Sequence, residues 1–215
     1  MIVRALQGTN AQVSFGGVIS IRCPSCRQMG TFDRVGPYDA EVISPGQACI
    51  TGQRLCPNPF CRALVFVVWD RVRNTLAATY PPELLDFDTT NIPVAITKAF
   101  QEAIACHANE CFIACAIMVR KTLEELCHER GVTGANLKER LRNLGTKVVL
   151  PQELLAGLDD LRLLGNDAAH IESQEFNTVG REEVEISIQF AKEVLKAVFQ
   201  YSDLLAKLRS LKRTP

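Results

Sequence analysis

Two closely spaced cysteine pairs place the strongest constraint on how this chain folds. The first pair lies in C-P-S-C at residues 23–26, and the second lies in C-P-N-P-F-C at residues 56–61. Two thiolates on one tight turn can bind the same ion, and two such turns complete a tetrahedron. The proline after the first cysteine of each pair suits such a turn, because it fixes φ and removes a backbone donor. The predicted ligands of a structural Zn²⁺ are Cys23, Cys26, Cys56 and Cys61, with Cys49 as the substitute if Cys56 does not bind.

The segments around these cysteines predict a small β-rich domain. Short apolar runs alternate with glycine and proline, and the strongest strand pattern is A-L-V-F-V-V-W-D at residues 63–70. A domain of this size has little core of its own, so a bound ion would supply much of its folding free energy. The sequence therefore predicts a zinc ribbon over residues 1–75. An ion held by four thiolates has no open position, so a catalytic role for it is not expected.

From residue 92 onward the apolar residues follow a helical period, which predicts an all-α bundle over residues 92–215. Residues 76–91 contain two prolines and an acidic, threonine-rich stretch, so a linker is predicted there. Asn136 and Glu139 have the spacing of a capping box at the start of one helix. A single long helix is predicted over about 181–211, with a wide apolar face. The predicted fold class is α+β, a small zinc ribbon followed by a helical bundle.

The net charge of zero, from 24 basic and 24 acidic residues, hides a difference between these two regions. Residues 1–75 hold eight arginines, no lysine and four carboxylates, so the remainder of the chain is acidic. Four bound thiolates and one Zn²⁺ would lower the positive surplus of the ribbon. The ribbon is therefore expected to offer anions a modest surface and no strong phosphate clamp.

Composition and the absence of familiar motifs exclude several classes of protein. No apolar run approaches the roughly 18 residues that a membrane span needs, and no signal peptide is predicted. Nine cysteines without a secretory signal favour a reducing compartment, so a cytoplasmic protein without membrane contact is expected. The glycine-rich phosphate and dinucleotide loops, H-E-x-x-H and G-x-S-x-G are all missing. The sequence therefore does not support a nucleotide hydrolase, dehydrogenase, zinc protease or serine hydrolase.

The densest group of polar residues in the helical half lies in L-R-L-L-G-N-D-A-A-H at residues 161–170. If one helix continues through the glycine, Arg162, Asn166 and His170 form a single polar stripe. Arginine suits phosphate, histidine can transfer a proton near neutral pH, and asparagine can orient either group. These three residues are candidate catalytic residues for metal-independent RNA cleavage.

A purely structural interpretation of the same residues stays open. Asn166 could cap a new short helix, Arg162 could pair with Asp159, and His170 could lie in the core. Arg120 and Lys121 are further candidates for binding a substrate phosphate, and a solvated helix face is their alternative.

Four segments together carry a resemblance to a known family. They are the C-P-S-C ribbon, I-P-V-A-I-T-K-A-F-Q-E-A at residues 92–103, F-I-A-C-A-I-M-V-R-K-T-L-E-E-L at 112–126, and the segment at 161–170. Over about residues 20–205 the chain resembles the domain of unknown function 4145 family. That family is similar to the higher-eukaryote-and-prokaryote nucleotide-binding (HEPN) superfamily of helical bundles.

The resemblance implies a HEPN-like bundle and an RNA-directed function. Many HEPN proteins are metal-independent endoribonucleases of prokaryotic defence or toxin systems, and they typically act as homodimers. Their motif has an arginine directly before the polar residue, where this chain has Gly165; Arg162 is the nearest basic residue. The implied partners are RNA, a second copy of the chain and a defence-system protein. The alternative is a non-catalytic nucleic-acid-binding or protein-interaction module with a structural zinc ribbon.

Overall fold

The computed structural model describes residues 11–13, 19–44, 47–169 and 179–211. Strands come first along the chain and helices follow, so the fold class is α+β, as the sequence predicts. The chain divides into two compact units, Met1–Asp86 and Phe87–Pro215. Within the described ranges, no helix is long and apolar enough to cross a membrane.

The first unit is built from antiparallel strands. The strands are β1 (Ala11–Val13), β2 (Ser20–Arg22), β3 (Met29–Thr31), β4 (Asp33–Arg34), β5 (Asp39–Ser44), β6 (Gln47–Leu55), β7 (Leu64–Asp70) and β8 (Thr75–Tyr80). One sheet has the order β1-β5-β6-β7-β8, with β4 also pairing to β6, and β2 and β3 form a separate hairpin.

Strand β7 confirms the strongest strand pattern in the sequence and positions the core of this unit. Its residues alternate between the two faces of the sheet, so Val65 and Val67 are buried while Leu64 and Phe66 are exposed. The buried valines pack in one cluster with Ile19, Ile21 and Phe32 and with the cysteine side chains. The core of the unit therefore lies against Cys23, Cys26, Cys56 and Cys61.

The segment predicted as a linker contains a strand. Residues 75–80 form β8, which pairs antiparallel with β7 and places Tyr80 opposite Phe66. The linker prediction is wrong over these residues, because pairing with a buried neighbouring strand outweighs the weak local pattern of T-L-A-A-T-Y. The pair of prolines follows directly after the strand and ends it.

A buried ion pair ties β5 to β6. Arg54 donates from Nη1 to Asp39 Oδ1 at 2.7 Å and from Nη2 to Asp39 Oδ2 at 3.1 Å, and both side chains are almost fully buried. Gly52 makes room for this pair, because a Cβ at that position would overlap Asp39 Oδ1. Each buried charge is compensated only while the other is present.

The second unit is a helical bundle. Its helices are α1 (Val94–Ala108), α2 (Phe112–Glu129), α3 (Leu137–Leu144), α4 (Gln152–Ala169), α5 (Arg181–Phe199) and α6 (Tyr201–Ser210). Helix α3 begins as predicted, because the side chain of Asn136 accepts a hydrogen bond from the backbone N–H of Glu139 at 3.0 Å. Helix α4 runs unbroken through Gly165, which is the condition for a single polar stripe.

The long final helix predicted for 181–211 is interrupted. Gln200 separates α5 from α6, and its φ of −110° departs from helical values. Its side-chain Nε2 donates to the backbone oxygens of Asp88 and Thr90 at 3.0 and 3.1 Å. These contacts, with residues more than a hundred positions away, give a physical reason for the interruption at Gln200.

His107 is buried in the core of the bundle. It lies near the end of α1, its ring faces Phe112, and its Nε2 has no hydrogen-bond partner among the described residues. Burial lowers the pKa of His107, an effect opposed by Glu185 and reinforced by Arg181 and Lys192. The imidazole is therefore held in its neutral form.

We expect Asp39→Asn to destabilise the first unit by about 3–5 kcal/mol, because it leaves Arg54 buried without its counter-charge. Urea unfolding followed by the fluorescence of Trp69, the single tryptophan of the chain, reports on this unit. Asp33→Asn is the matched control, because Asp33 is exposed on β4 and should change stability by less than about 0.5 kcal/mol. Equal losses in the two variants would contradict the assigned role of the pair.

We expect the bundle to lose stability between pH 7 and pH 5. An unfolded histidine binds a proton below about pH 6.5, whereas the lowered pKa of His107 keeps the folded chain from doing so. The unfolding free energy should therefore fall by up to about 1.4 kcal/mol per pH unit. Circular dichroism at helical wavelengths measures it. His107→Leu should flatten the dependence, and His128→Gln, at an exposed site on α2, should keep it.

Candidate functional site

The four predicted zinc ligands lie on two turns that each close a hairpin. The first turn joins β2 to β3, and the Cys23 N–H donates to the Gln28 oxygen at 2.9 Å. The second joins β6 to β7, and the Cys56 N–H donates to the Ala63 oxygen at the same distance. The residue after the last cysteine is an arginine with positive φ in both turns, 64° at Arg27 and 46° at Arg62. The two turns therefore reverse direction in the same way.

The two turns also contact each other and differ in one detail. Asn58 Nδ2 donates to Gln28 Oε1 at 2.9 Å, which links the second turn to the first. The second turn has two more residues between its cysteines, and the side-chain oxygen of Asn58 accepts from the Phe60 N–H at 2.9 Å. Phe60 is 98% exposed as a result. The extra residues are therefore accommodated outside the cysteine cluster.

The cysteine sulfurs have the spacing of a tetrahedral metal site. Cys23 Sγ lies 3.8 Å from Cys61 Sγ, Cys26 Sγ lies 3.8 Å from Cys56 Sγ, and all four sulfurs are within 4.8 Å of one another. A tetrahedron with metal–sulfur bonds of about 2.3 Å has edges of about 3.8 Å. All four cysteines are unpaired thiols, so none is engaged in a disulfide. The cluster could therefore hold one metal ion.

The thiols of this cluster have different local environments. Burial raises the pKa of Cys56 to about 12. A hydrogen bond from the Ser25 hydroxyl and another from the Ala63 backbone N–H lower the pKa of Cys61 to about 6. A bound cation would favour the thiolate form at every position, because a coordinating thiol is deprotonated.

Cys49, the substitute ligand, lies outside this cluster. It is buried on β6, opposite Val42 on one side and Asp70 on the other. Strand β6 carries the chain away from Cys49 by roughly 20 Å before it reaches the turn, at about 3.3 Å per residue. The cluster of ligating atoms among the described residues contains Cys56 and not Cys49.

A second polar arrangement joins α2 to α4. The Nη1 of Arg120 donates to Asn166 Oδ1, and the Nε of Arg120 lies 3.3 Å from Glu124 Oε1. Gly165 makes the contact possible: a Cβ there would lie 2.6 Å from Arg120 Cβ and 3.2 Å from the Ala116 oxygen. The aliphatic part of the Arg120 side chain thus packs against α4 at Gly165. A glycine inside a helical pattern indicates that another element can approach closely, but it does not identify Arg120 as that neighbour.

Arg162 and Lys121 each form an ion pair with a carboxylate on their own helix. Arg162 Nε lies 2.6 Å from Asp159 Oδ1, and this hydrogen bond lowers the pKa of Asp159. The Arg162 side chain is only 11% exposed. Lys121 Nζ lies 2.8 Å from Glu125 Oε1 on the same helix. The structure therefore gives Asn166 and Arg162 separate partners, and His170 lies outside the described residues.

Comparison with known protein families identifies a family for this chain. The family model described as Domain of unknown function (DUF4145) matches residues 101–213, more than half of the chain. The chain belongs to this family. The DUF4145 region begins within α1 and covers both Arg120 and Asn166. No curated protein and no solved structure matches the chain.

We expect the purified protein to carry one metal ion per chain, seen by native mass spectrometry as a mass increment that acid removes. Cys56→Ser should abolish it, because three thiolates no longer complete the tetrahedron. Cys49→Ser is the matched control, since Cys49 is an equally buried cysteine of the same unit outside the cluster. A folded wild-type chain without an ion would contradict the site, and so would equal loss of the ion from the two variants.

Proposed function

We propose that this protein is RNA-directed and acts as a metal-independent endoribonuclease through its HEPN-like bundle. The contact of Arg120 with Asn166 across Gly165 supports this proposal most directly. The resemblance places an arginine immediately before the polar residue of the motif, and this chain has glycine there. Arg120 supplies a guanidinium beside that polar residue from a neighbouring helix. A cation next to Asn166 is thus retained without an arginine at position 165.

The proposed roles follow from the chemistry of the side chains. His170 accepts the proton of a ribose 2′-hydroxyl, and the resulting oxygen attacks the adjacent phosphorus. The bond from phosphorus to the 5′ oxygen breaks, and that oxygen leaves with a proton from water. Arg120 stabilises the negative charge on the phosphate, and Asn166 orients Arg120. Arg162 pairs with Asp159 on its own helix and Lys121 pairs with Glu125, so neither residue is assigned a step in this scheme.

We propose Zn²⁺ as the ion of the cysteine cluster, with a structural role. Four thiolates form the donor set of structural zinc sites and leave no coordination position for a substrate. The ion would hold together the two hairpins, since their shared core is small. From the same resemblance we also propose a setting in prokaryotic defence or toxin action, in the cytoplasm, with a second copy and a defence-system protein as partners.

One observation favours a non-catalytic module as a second candidate. The guanidinium groups of Arg120 and Arg162 already have carboxylate partners, Glu124 and Asp159. Arginines neutralised in this way attract a phosphate less than free ones do. In this alternative the bundle and the ribbon bind nucleic acid or a protein without cleaving it.

Incubation with RNA tests the two candidates directly. Single-stranded and hairpin RNA are incubated with the full chain and EDTA, and the ends of the products are identified. Wild type should leave 2′,3′-cyclic phosphate ends. His170→Ala and Arg120→Ala should reduce the rate by about 10²–10⁴-fold, the range typical of proton-transfer and charge-stabilising groups.

Lys121→Ala is the matched control, because Lys121 is the next residue on the same helix and pairs with Glu125 on the exposed surface. It should keep the rate within a few-fold of wild type. Absence of cleavage with retained RNA binding would refute the nuclease and support the second candidate. Cleavage that survives both His170→Ala and Arg120→Ala would refute the catalytic roles proposed for these residues.

A further inference from the structure

The turn between α1 and α2 brings two cysteines together. Helix α1 ends in a Schellman motif, in which the Cys111 N–H donates to the Cys106 oxygen at 2.9 Å. Within this turn the Glu110 N–H donates to the His107 oxygen at 3.0 Å, and Glu110 has the left-handed φ of 61° that the motif requires. The side chains at the two ends of such a motif frequently pack against each other, and here they are Cys106 and Cys111.

The backbone of the turn is compatible with a disulfide between these two residues. Standard bond lengths and the hydrogen bond of 2.9 Å place the Cα atoms of Cys106 and Cys111 at most about 6.8 Å apart. Disulfide-bonded cysteines have Cα atoms about 4.4–6.8 Å apart. Both residues are free thiols, and Cys111 Sγ makes one weak contact, with the Asn109 oxygen at 3.6 Å. Rotation of the side chains could therefore form the bond without unwinding either helix.

The two thiols differ in their access to solvent. Cys111 is exposed and directly precedes α2, and a helix N-terminus is an environment in which exposed cysteines react readily. Cys106 is partly buried, and burial raises its pKa, an effect that Cys111 and Glu102 reinforce. Cys111 is therefore the thiol that an oxidant meets first, and Cys106 is the thiol that reacts second.

A third cysteine nearby offers a different pairing. Cys115 lies one helical turn beyond Cys111 on α2 and is completely buried, and this burial raises its pKa to about 12. A dissolved oxidant does not reach a buried thiol of this kind. Among the described residues, the thiols around this turn do not form a ligand cluster like that of the ribbon. These observations favour a bond between Cys106 and Cys111 over a metal site.

We propose that Cys106 and Cys111 are a redox-sensitive pair, which hydrogen peroxide converts into a disulfide and a dithiol reductant restores. The Cys111 sulfur attacks one peroxide oxygen and the O–O bond breaks, which gives a sulfenic acid and one water. The Cys106 sulfur then attacks the sulfenic sulfur, the S–O bond breaks, and the hydroxyl leaves with the Cys106 thiol proton as a second water. The two thiols together lose two electrons, and one peroxide is reduced to two waters.

The bond would close a turn that also contacts another helix. Glu110, inside the loop that the disulfide closes, pairs through Oε1 with Nη2 of Arg181 at 2.6 Å, and Arg181 is the first residue of α5. Thiol–disulfide exchange with a dithiol returns both cysteines to thiols and oxidises the dithiol to its own disulfide. In a reducing compartment, the disulfides that do form are usually transient and serve as redox sensors. The inference does not depend on RNA cleavage.

Peptide mapping of the full chain after treatment with hydrogen peroxide tests the pair. Remaining thiols are blocked with N-ethylmaleimide, and the unfolded chain is digested with trypsin and with a protease that cleaves after glutamate. Cleavage after Glu110 separates Cys106 from Cys111, so the disulfide keeps peptides 103–110 and 111–120 joined. Mass spectrometry should find the joined peptides in most oxidised wild-type chains. Dithiothreitol added to the folded, oxidised chain before the blocking step should remove the link.

Cys111→Ser should lose the joined peptides. Cys115→Ala is the matched control, because it removes a neighbouring thiol of the same helix, and it should keep them. Circular dichroism confirms that each variant is folded. A wild type in which Cys106 stays a thiol, or is oxidised to a sulfinic acid without a link, would overturn the proposal. A link that persists in Cys111→Ser would also overturn it, because Cys106 would then pair with Cys115.

Discussion

The structure of the first unit depends on the four cysteine sulfurs lying together in one cluster. The two cysteine turns belong to different hairpins, and the apolar cluster behind them is small, with Ile19, Ile21, Phe32, Val65 and Val67 as its main members. A metal ion bound by all four thiolates would join the hairpins at the place where their strands end. The ion pair of Arg54 with Asp39 joins the neighbouring strands in the same unit. The metal site and the ion pair would thus add stability to a unit whose small apolar core alone provides little.

Local spacing explains which features were predictable from the sequence. The cysteine pairs, the capping residue Asn136 and the apolar alternation of β7 each depend on residues a few positions apart, and the structure has all three. Strand β8 and the interruption at Gln200 depend instead on contacts with distant segments. No local pattern contains that information. The same holds for Arg120 and Asn166, which are 46 positions apart.

The contact between α2 and α4 changes how the polar stripe of α4 is interpreted. One continuous helix does align Arg162 with Asn166, but alignment along a helix does not decide which partner a long side chain chooses. Arg162 turns back to Asp159, while Asn166 receives Arg120 from the neighbouring helix. Gly165 permits the contact of Arg120 with Asn166 because it has no side chain to keep the helices apart. Any larger residue at position 165 would compete with Arg120 for the same volume.

The unequal lengths of the two cysteine turns have a consequence for variation among relatives. The sulfurs of both turns reach the same cluster although one turn has two additional residues, and those residues lie outside it with Phe60 in solvent. The ligand geometry is therefore insensitive to the length of the second turn. Insertions and substitutions should accumulate there first, as they do at exposed loop tips. New surface chemistry could thus arise at this turn while the fold around the sulfurs stays the same.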